Sequence, residues 1–127
     1  NYGPNKALDG TPTTCWHTSW DGVIRPYPHW IAVDMKQPIT FEGVRVLQRQ
    51  DMQNGRIGRC VIYRSDDGEH WDEPPVGKGR LEDSADWQEI RFDAPVRGQY
   101  FKLEAVKPVN RDHPWASLAE LDIIQSK

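Results

Sequence analysis

Cysteine is scarce in this 127-residue chain. Only Cys15 and Cys60 are present, too few to frame a disulfide-dense fold, and neither stands in the Cys-x-x-Cys or His-spaced pattern that zinc or redox chemistry needs. A buried free thiol is one reading of each. A single bridge between the first loop and a middle strand is the other. No apolar run approaches the roughly 18 residues of a membrane span. The opening residues carry neither an initiator Met nor a signal-like segment, so the chain is expected to be cut from a larger precursor. Long helical periodicity is missing as well. With 10 Gly and 10 Pro spread through the length, no segment offers an uninterrupted dozen residues of 3.6-period amphipathicity. A basic excess is also absent: 16 Lys and Arg against 19 Asp and Glu give a net charge of −3, which leaves no overall electrostatic footprint for nucleic acid or anionic lipid. Catalytic signatures are lacking too. There is no Gly-x-Ser-x-Gly or His-Glu-x-x-His pattern. The acids gather in polar turns, Asp66-Asp67, Asp72-Glu73 and Glu82-Asp83, which read as solvated, whereas a glycosidase needs two facing carboxylates. Independent catalysis is not expected.

What is present is a series of short strand patterns separated by turn residues. Trp30 to Met35 follows the Pro26 and Pro28 turn, and Gly43 to Arg49 alternates apolar with polar residues in period two. Cys60 to Ser65 ends in Asp66-Asp67-Gly68, a tight-turn signal. Trp87 to Phe92, Tyr100 to Val106 and Leu118 to Ile124 complete the set, and Pro74-Pro75 through Gly79 reads as loop. Strands without intervening helices predict an all-β fold, an antiparallel β-sandwich. With no repeat or composition break, residues 1–127 form one expected domain, long enough to bury a substantial core. Trp16, Trp30, Trp71 and Trp87 are expected in that core.

Two stretches carry the chemistry. Asp9, Gly10, Thr11, Pro12, Thr13 and Thr14 make a tight, oxygen-rich loop of a kind that suits a hard cation such as calcium. Directly after it come Trp16-His17-Thr18-Ser19-Trp20, two aromatics around an imidazole. The far end contributes Asn110 to Trp115 and then Ala116 to Ile124.

Taken together, ALDG with WHT and a following Trp, PHWIAVDM, LQRQDMQNGRIG, IYRSDDGEHW and PWASLAEL resemble the discoidin or coagulation-factor type C domains, and among them the carbohydrate-binding modules of family 32. The likeness runs in order over nearly the whole chain. It implies a jelly-roll sandwich of the galactose-binding-domain type, one structural calcium, no catalytic activity of its own, attachment to an extracellular carbohydrate-active enzyme such as a glycoside hydrolase, and export from the cell.

Carried over residue by residue, the resemblance implies calcium ligands from the Asp9 and Glu120 carboxylates, the Thr14 hydroxyl and carbonyl, and the carbonyls of Lys6, Thr11 and Ala119. The bland alternative makes Asp9-Gly10 a turn and Glu120 a solvated edge charge. The implied partner is a glycan ending in galactose, N-acetylgalactosamine or lactosamine. Trp115 matches the stacking aromatic, Trp20 a flanking one, and His17, Arg49 and Asn54 the hydrogen-bonding set. A pyranose presents a patch of C–H groups and a rim of hydroxyls, so an aromatic plate with a few fixed polar groups is the arrangement it needs. His29 and His113 carry no such match. The competing expectation is a lipid- or protein-binding discoidin domain with apolar spikes at Trp20, Val23, Ile24, Met52 and Trp115. The acidic charge balance argues against a membrane.

Overall fold

A computed structural model describes residues 16–17, 27–51, 55–110, 112 and 114–126. Among these residues all regular structure is strand. In chain order the strands are β1 (Trp16–His17), β2 (His29–Leu47), β3 (Ile57–Ser65), β4 (Gly77–Arg80), β5 (Trp87–Pro108), β6 (Ser117–Leu118) and β7 (Glu120–Gln125). Five of them form one antiparallel sheet in the order β4-β3-β5-β2-β7, and β1 pairs with β6 in a second, smaller one.

Period-two alternation decides which face is buried. Ile31 and Val33 of β2, Cys60 and Ile62 of β3, and Phe101, Leu103 and Ala105 of β5 all point to the same interior. Ala116 and Leu118 join that cluster from the segment around β6, so the two sheets close on each other as a β-sandwich. Phe41 lies at the centre, with ring centroids 5.5 Å from Phe92 and 5.9 Å from Phe101. Burial on this scale contributes roughly 1.5–3 kcal/mol for each large apolar side chain.

Several expectations need correction. The stretch 30–35 and residues 43–47 of the expected 43–49 strand belong to one long strand, and 87–92 and 100–106 to another. Register shifts between Asp34 and Ile39 and between Phe41 and Gly43 bend β2 without ending it. At the first shift Lys36 has φ 72°, and its backbone N–H donates to the Asp34 carboxylate at 2.8 Å. Such bulges re-aim a strand while most of its ladder survives.

The glycine-rich end of the expected loop is strand β4, paired with Arg59 to Ile62. Its glycines permit close packing: a Cβ on Gly77 would lie 2.5 Å from the Phe92 ring. Trp30 and Trp87 are not core residues, being 61% and 42% exposed. Alternation sends Ile31 inward and so Trp30 outward. Trp87 instead lies under the Arg45 guanidinium, 4.5 Å from its ring centroid. Trp71 is half-buried, and Cys60 is a buried free thiol whose pKa burial pushes up to about 12. Cys15 lies outside the described residues, as does the side chain of Trp16.

Candidate functional site

At one end of the sandwich three segments converge on Ser117. Strand β2 stops at Leu47, so the expected continuation of the strand through Arg49 does not form. The buried Gln48 side chain substitutes for the missing ladder. Its Nε2 donates to the Ile57 carbonyl at 2.7 Å, and its Oε1 accepts from the Ile57 N–H at 3.1 Å. Both mouths of the 48–57 loop are thereby held by one amide. Arg56 closes it further, donating to the Arg49 carbonyl from Nε at 3.2 Å and Nη2 at 2.8 Å and pairing with Asp83 at 2.7 Å.

Gly55 then returns the loop toward the sandwich with φ +79°, and its carbonyl accepts from the Ser117 N–H at 2.8 Å. A Cβ here would meet Ser117 Oγ at 2.8 Å, so the position demands glycine on both backbone and steric grounds. On the other side Ser117 stands in register with His17, and Leu118 with Trp16. The backbones that carry His17, Arg49 and Trp115 are thus brought to one place.

Arg49 is 8% exposed. Its Nε and Nη2 donate to the Asp51 carboxylate at 2.8 and 3.4 Å, which fixes the guanidinium in one orientation. That pair uses two of the five guanidinium donors, so a ligand would meet Arg49 as half of an ion pair. Trp115 is half-buried, and its backbone is anchored from beneath. The Tyr27 hydroxyl donates to the Trp115 carbonyl at 2.8 Å, and His29 Nε2 donates to the carbonyl of Pro114. Tyr27 and His29 pack edge to face at 4.8 Å between centroids, and burial raises the Tyr27 phenol well above its ordinary pKa. The 110–115 loop has its own turn, Asn110 Oδ1 accepting from the Asp112 N–H at 2.9 Å.

Trp20 and Asn54 lie outside the described residues, as does the side chain of His17. Sequence reasoning missed Asp51, Tyr27 and His29. Asp51 had a legible signal, an acid two residues after an arginine in a turn. Tyr27 and His29 had none, because they act on backbone carbonyls more than eighty positions away.

Of the expected calcium ligands, Lys6, Asp9, Thr11 and Thr14 lie outside the described residues. Ala119, between β6 and β7, and Glu120, the first residue of β7, are both buried, with the Ala119 N–H donating to the Leu47 carbonyl at 2.8 Å. Glu120 is not a solvated edge charge. The pairing of Trp16 with Leu118 sets the strand that follows Asp9–Thr14 in sequence beside the strand that leads into Ala119–Glu120. An all-oxygen donor set with two carboxylates suits calcium, and a buried carboxylate calls for compensation of its charge.

A different acidic group is exposed on the β3–β4 loop, where ligand atoms of Asp67, Glu69 and His70 lie within 4.8 Å of one another, close enough to hold a cation. There Asp67 accepts from Ser65 Oγ, from the Glu69 and His70 N–H groups and from His70 Nδ1. Those hydrogen bonds hold its pKa well below the carboxylate range.

The family model for the F5/8 type C domain matches residues 1–121. The chain belongs to that family. Galactose oxidase of Gibberella zeae is 38% identical to this F5/8 type C domain over 125 residues, 96% of the chain and 18% of the enzyme. The chain thus spans about a fifth of the length of that relative. Among solved structures, the domain resembles CpGH89CBM32-5 from Clostridium perfringens in complex with GalNAc-β-1,3-galactose, with a TM-score of 0.83, 26% identity, and coverage of 94% of this chain and 81% of that one. It also resembles the family 32 carbohydrate-binding module of C. perfringens NanJ in complex with galactose, with a TM-score of 0.81, 26% identity, and coverage of 94% and 82%.

Proposed function

We propose that this F5/8 type C domain is a non-catalytic carbohydrate-binding module for terminal galactose-type sugars, carried outside the cell on a larger carbohydrate-active protein. The observation that supports it is the convergence on Ser117, which gathers the His17 strand, the Arg49 loop and the Trp115 loop at one end of the sandwich. In this reading the Trp115 indole stacks on the apolar face of the pyranose, flanked by Trp20. Arg49, oriented by Asp51, joins Asn54 and His17 in reading the ring hydroxyls. An axial 4-hydroxyl satisfies that set. An equatorial one leaves a buried donor unpaired, at about 1–3 kcal/mol.

Asp9, Thr14 and Glu120, with the carbonyls of Lys6, Thr11 and Ala119, would hold a structural calcium. Bound there, the ion would supply charge compensation for the acids and tie the two ends of the chain together. A monosaccharide of about a dozen heavy atoms at roughly −0.3 to −0.4 kcal/mol per atom binds near millimolar. The benefit comes from tethering, which raises the effective concentration of an attached catalytic domain on a glycan-dense surface.

Calorimetric titration with galactose, N-acetylgalactosamine and glucose tests the reading. Galactose-type sugars are expected to bind and glucose to bind at least several-fold more weakly, with Trp115→Ala abolishing the heat while far-UV circular dichroism stays unchanged. Sedimentation with anionic liposomes and no response to any sugar would replace it with the lipid-binding alternative.

A further inference from the structure

The net charge of −3 conceals a concentrated positive strip on the outward face of the large sheet. Arg59 on β3 stands directly opposite Arg80 on β4 and directly opposite Lys107 on β5. Adjacent strands are about 4.8 Å apart, so three cations form a row across three strands. Lys78, opposite Val61, adds a fourth on the same face. All four are exposed.

Like charges set directly opposite one another destabilise a sheet, and these are not neutralised. Arg49, Arg56, Arg64 and Arg91 are each paired with a carboxylate, whereas none of the four strip cations has an ion pair among the described residues. Protection of a sheet edge accounts for Lys78 and Arg80 on the edge strand β4. It does not account for Arg59 and Lys107, which lie on inner strands.

The strip has shape as well as charge. An open cavity of about 400 Å³ is lined by Arg59, Lys78 and Arg80 with Val61 and Val106, and no carboxylate takes part. A second cavity of about 350 Å³ lies beside it, shares Arg59 and Arg80, and reaches Lys107; its acids are Glu82 and Asp83, the latter engaged by Arg56. Farther along the same face, about 13 Å from Arg59 by strand rise, Lys102 Nζ lies 5.0, 4.9 and 5.8 Å from the ring centroids of Tyr63, Trp71 and Trp30. Glu104 stands between the two zones, opposite Val61.

We propose that this face is a second binding surface, separate from the Ser117 end, for an anionic saccharide whose carboxylate or sulfate groups pair with Arg59, Arg80, Lys78 and Lys107. Guanidinium groups bind such oxyanions through paired N–H donors. Val61 and Val106 supply apolar floor for ring C–H groups, and the exposed Trp30 with the half-buried Tyr63 and Trp71 extends the track. The choice of a saccharide over another polyanion rests on the glycan-binding reading above. The cation strip itself does not.

Titrating the chain with an oligogalacturonate, a sulfated oligosaccharide, galactose and single-stranded DNA separates the possibilities. At least one of the two anionic saccharides is expected to bind, more weakly at high salt, and the stronger of the two identifies carboxylate or sulfate as the recognised group. The Arg59→Gln, Arg80→Gln variant should lose about tenfold in that affinity while galactose binding stays unchanged. Relief of like-charge opposition should leave its melting temperature equal or higher. If the double variant fails to fold, Arg80→Gln on the exposed edge strand alone is expected to show a smaller loss of the same kind. Equal anion binding by wild type and variant, no binding of either acidic saccharide, or DNA binding as tight as the saccharide would each overturn the proposal. Loss of galactose binding in Trp115→Ala with anion binding retained would distinguish the two surfaces.

Discussion

Replacing Gly55 with alanine probes the joint on which the Ser117 end depends. Gly55 has φ +79°, and its new Cβ would come within 2.8 Å of Ser117 Oγ and 3.1 Å of Ser117 Cβ. The left-handed backbone costs an L-residue about 1–2 kcal/mol. Displacing the loop weakens the Gly55–Ser117 hydrogen bond, worth roughly another 1 kcal/mol. A total near 2–3 kcal/mol, divided by an unfolding entropy of roughly 0.27 kcal/mol/K for a chain of this length, lowers the melting temperature by about 8–11 °C.

Gly68→Ala is the control. Gly68 has φ +78° and would set a Cβ 3.0 Å from the Tyr100 ring, so it carries a similar backbone penalty. It follows Ser65, the last residue of β3, whereas Gly55 precedes Ile57, the first, and a nine-residue strand separates the two by roughly 27 Å. Calorimetric melting and galactose titration of both variants should show both destabilised and only Gly55→Ala impaired in sugar binding. Equal loss of binding in the two, or unaltered binding in Gly55→Ala despite its lower melting point, would refute the link between this joint and the site.

Three further outcomes are expected. Gln48→Ala leaves the Ile57 N–H and carbonyl without their buried partner and should cost about 2–5 kcal/mol in urea unfolding. Cys60 has a thiol pKa raised from 9.0 to about 12 by burial. Its neutral form is favoured in the fold, so its contribution is complete below about pH 9 and declines as pH rises toward 12, because the unfolded thiol ionises first. Cys60→Ala should flatten that alkaline limb of the stability profile. Calcium chelation should lower the melting temperature and calcium return should restore it, whereas an unchanged melting curve would remove the metal assignment.

Strand locations were legible wherever one face is buried. The alternation Ile31, Val33 and Val44, Val46 could be read directly, and so could Cys60, Ile62 and Leu103, Ala105. The joins were not, because a bulge such as that at Lys36 looks in sequence like the end of a strand. Nor could composition tell an interior tryptophan from an outward one. Trp30 has the hydrophobicity of a core residue, but the register of its neighbours turns it to solvent.

For the proposed site at the Ser117 end, the sequence by itself determined which residue types were available: an arginine and an asparagine in one turn, a histidine between two tryptophans, and a tryptophan after a proline. It also determined the all-β class, since no stretch repeats at the period of a helix. Only the tertiary structure decided that these segments meet, through backbone hydrogen bonds at Ser117 that leave no mark on side-chain chemistry. The cation strip is the clearest case. Net charge is a sum over the chain, whereas Arg59, Arg80 and Lys107 become neighbours only when antiparallel pairing sets residues from three strands in one row.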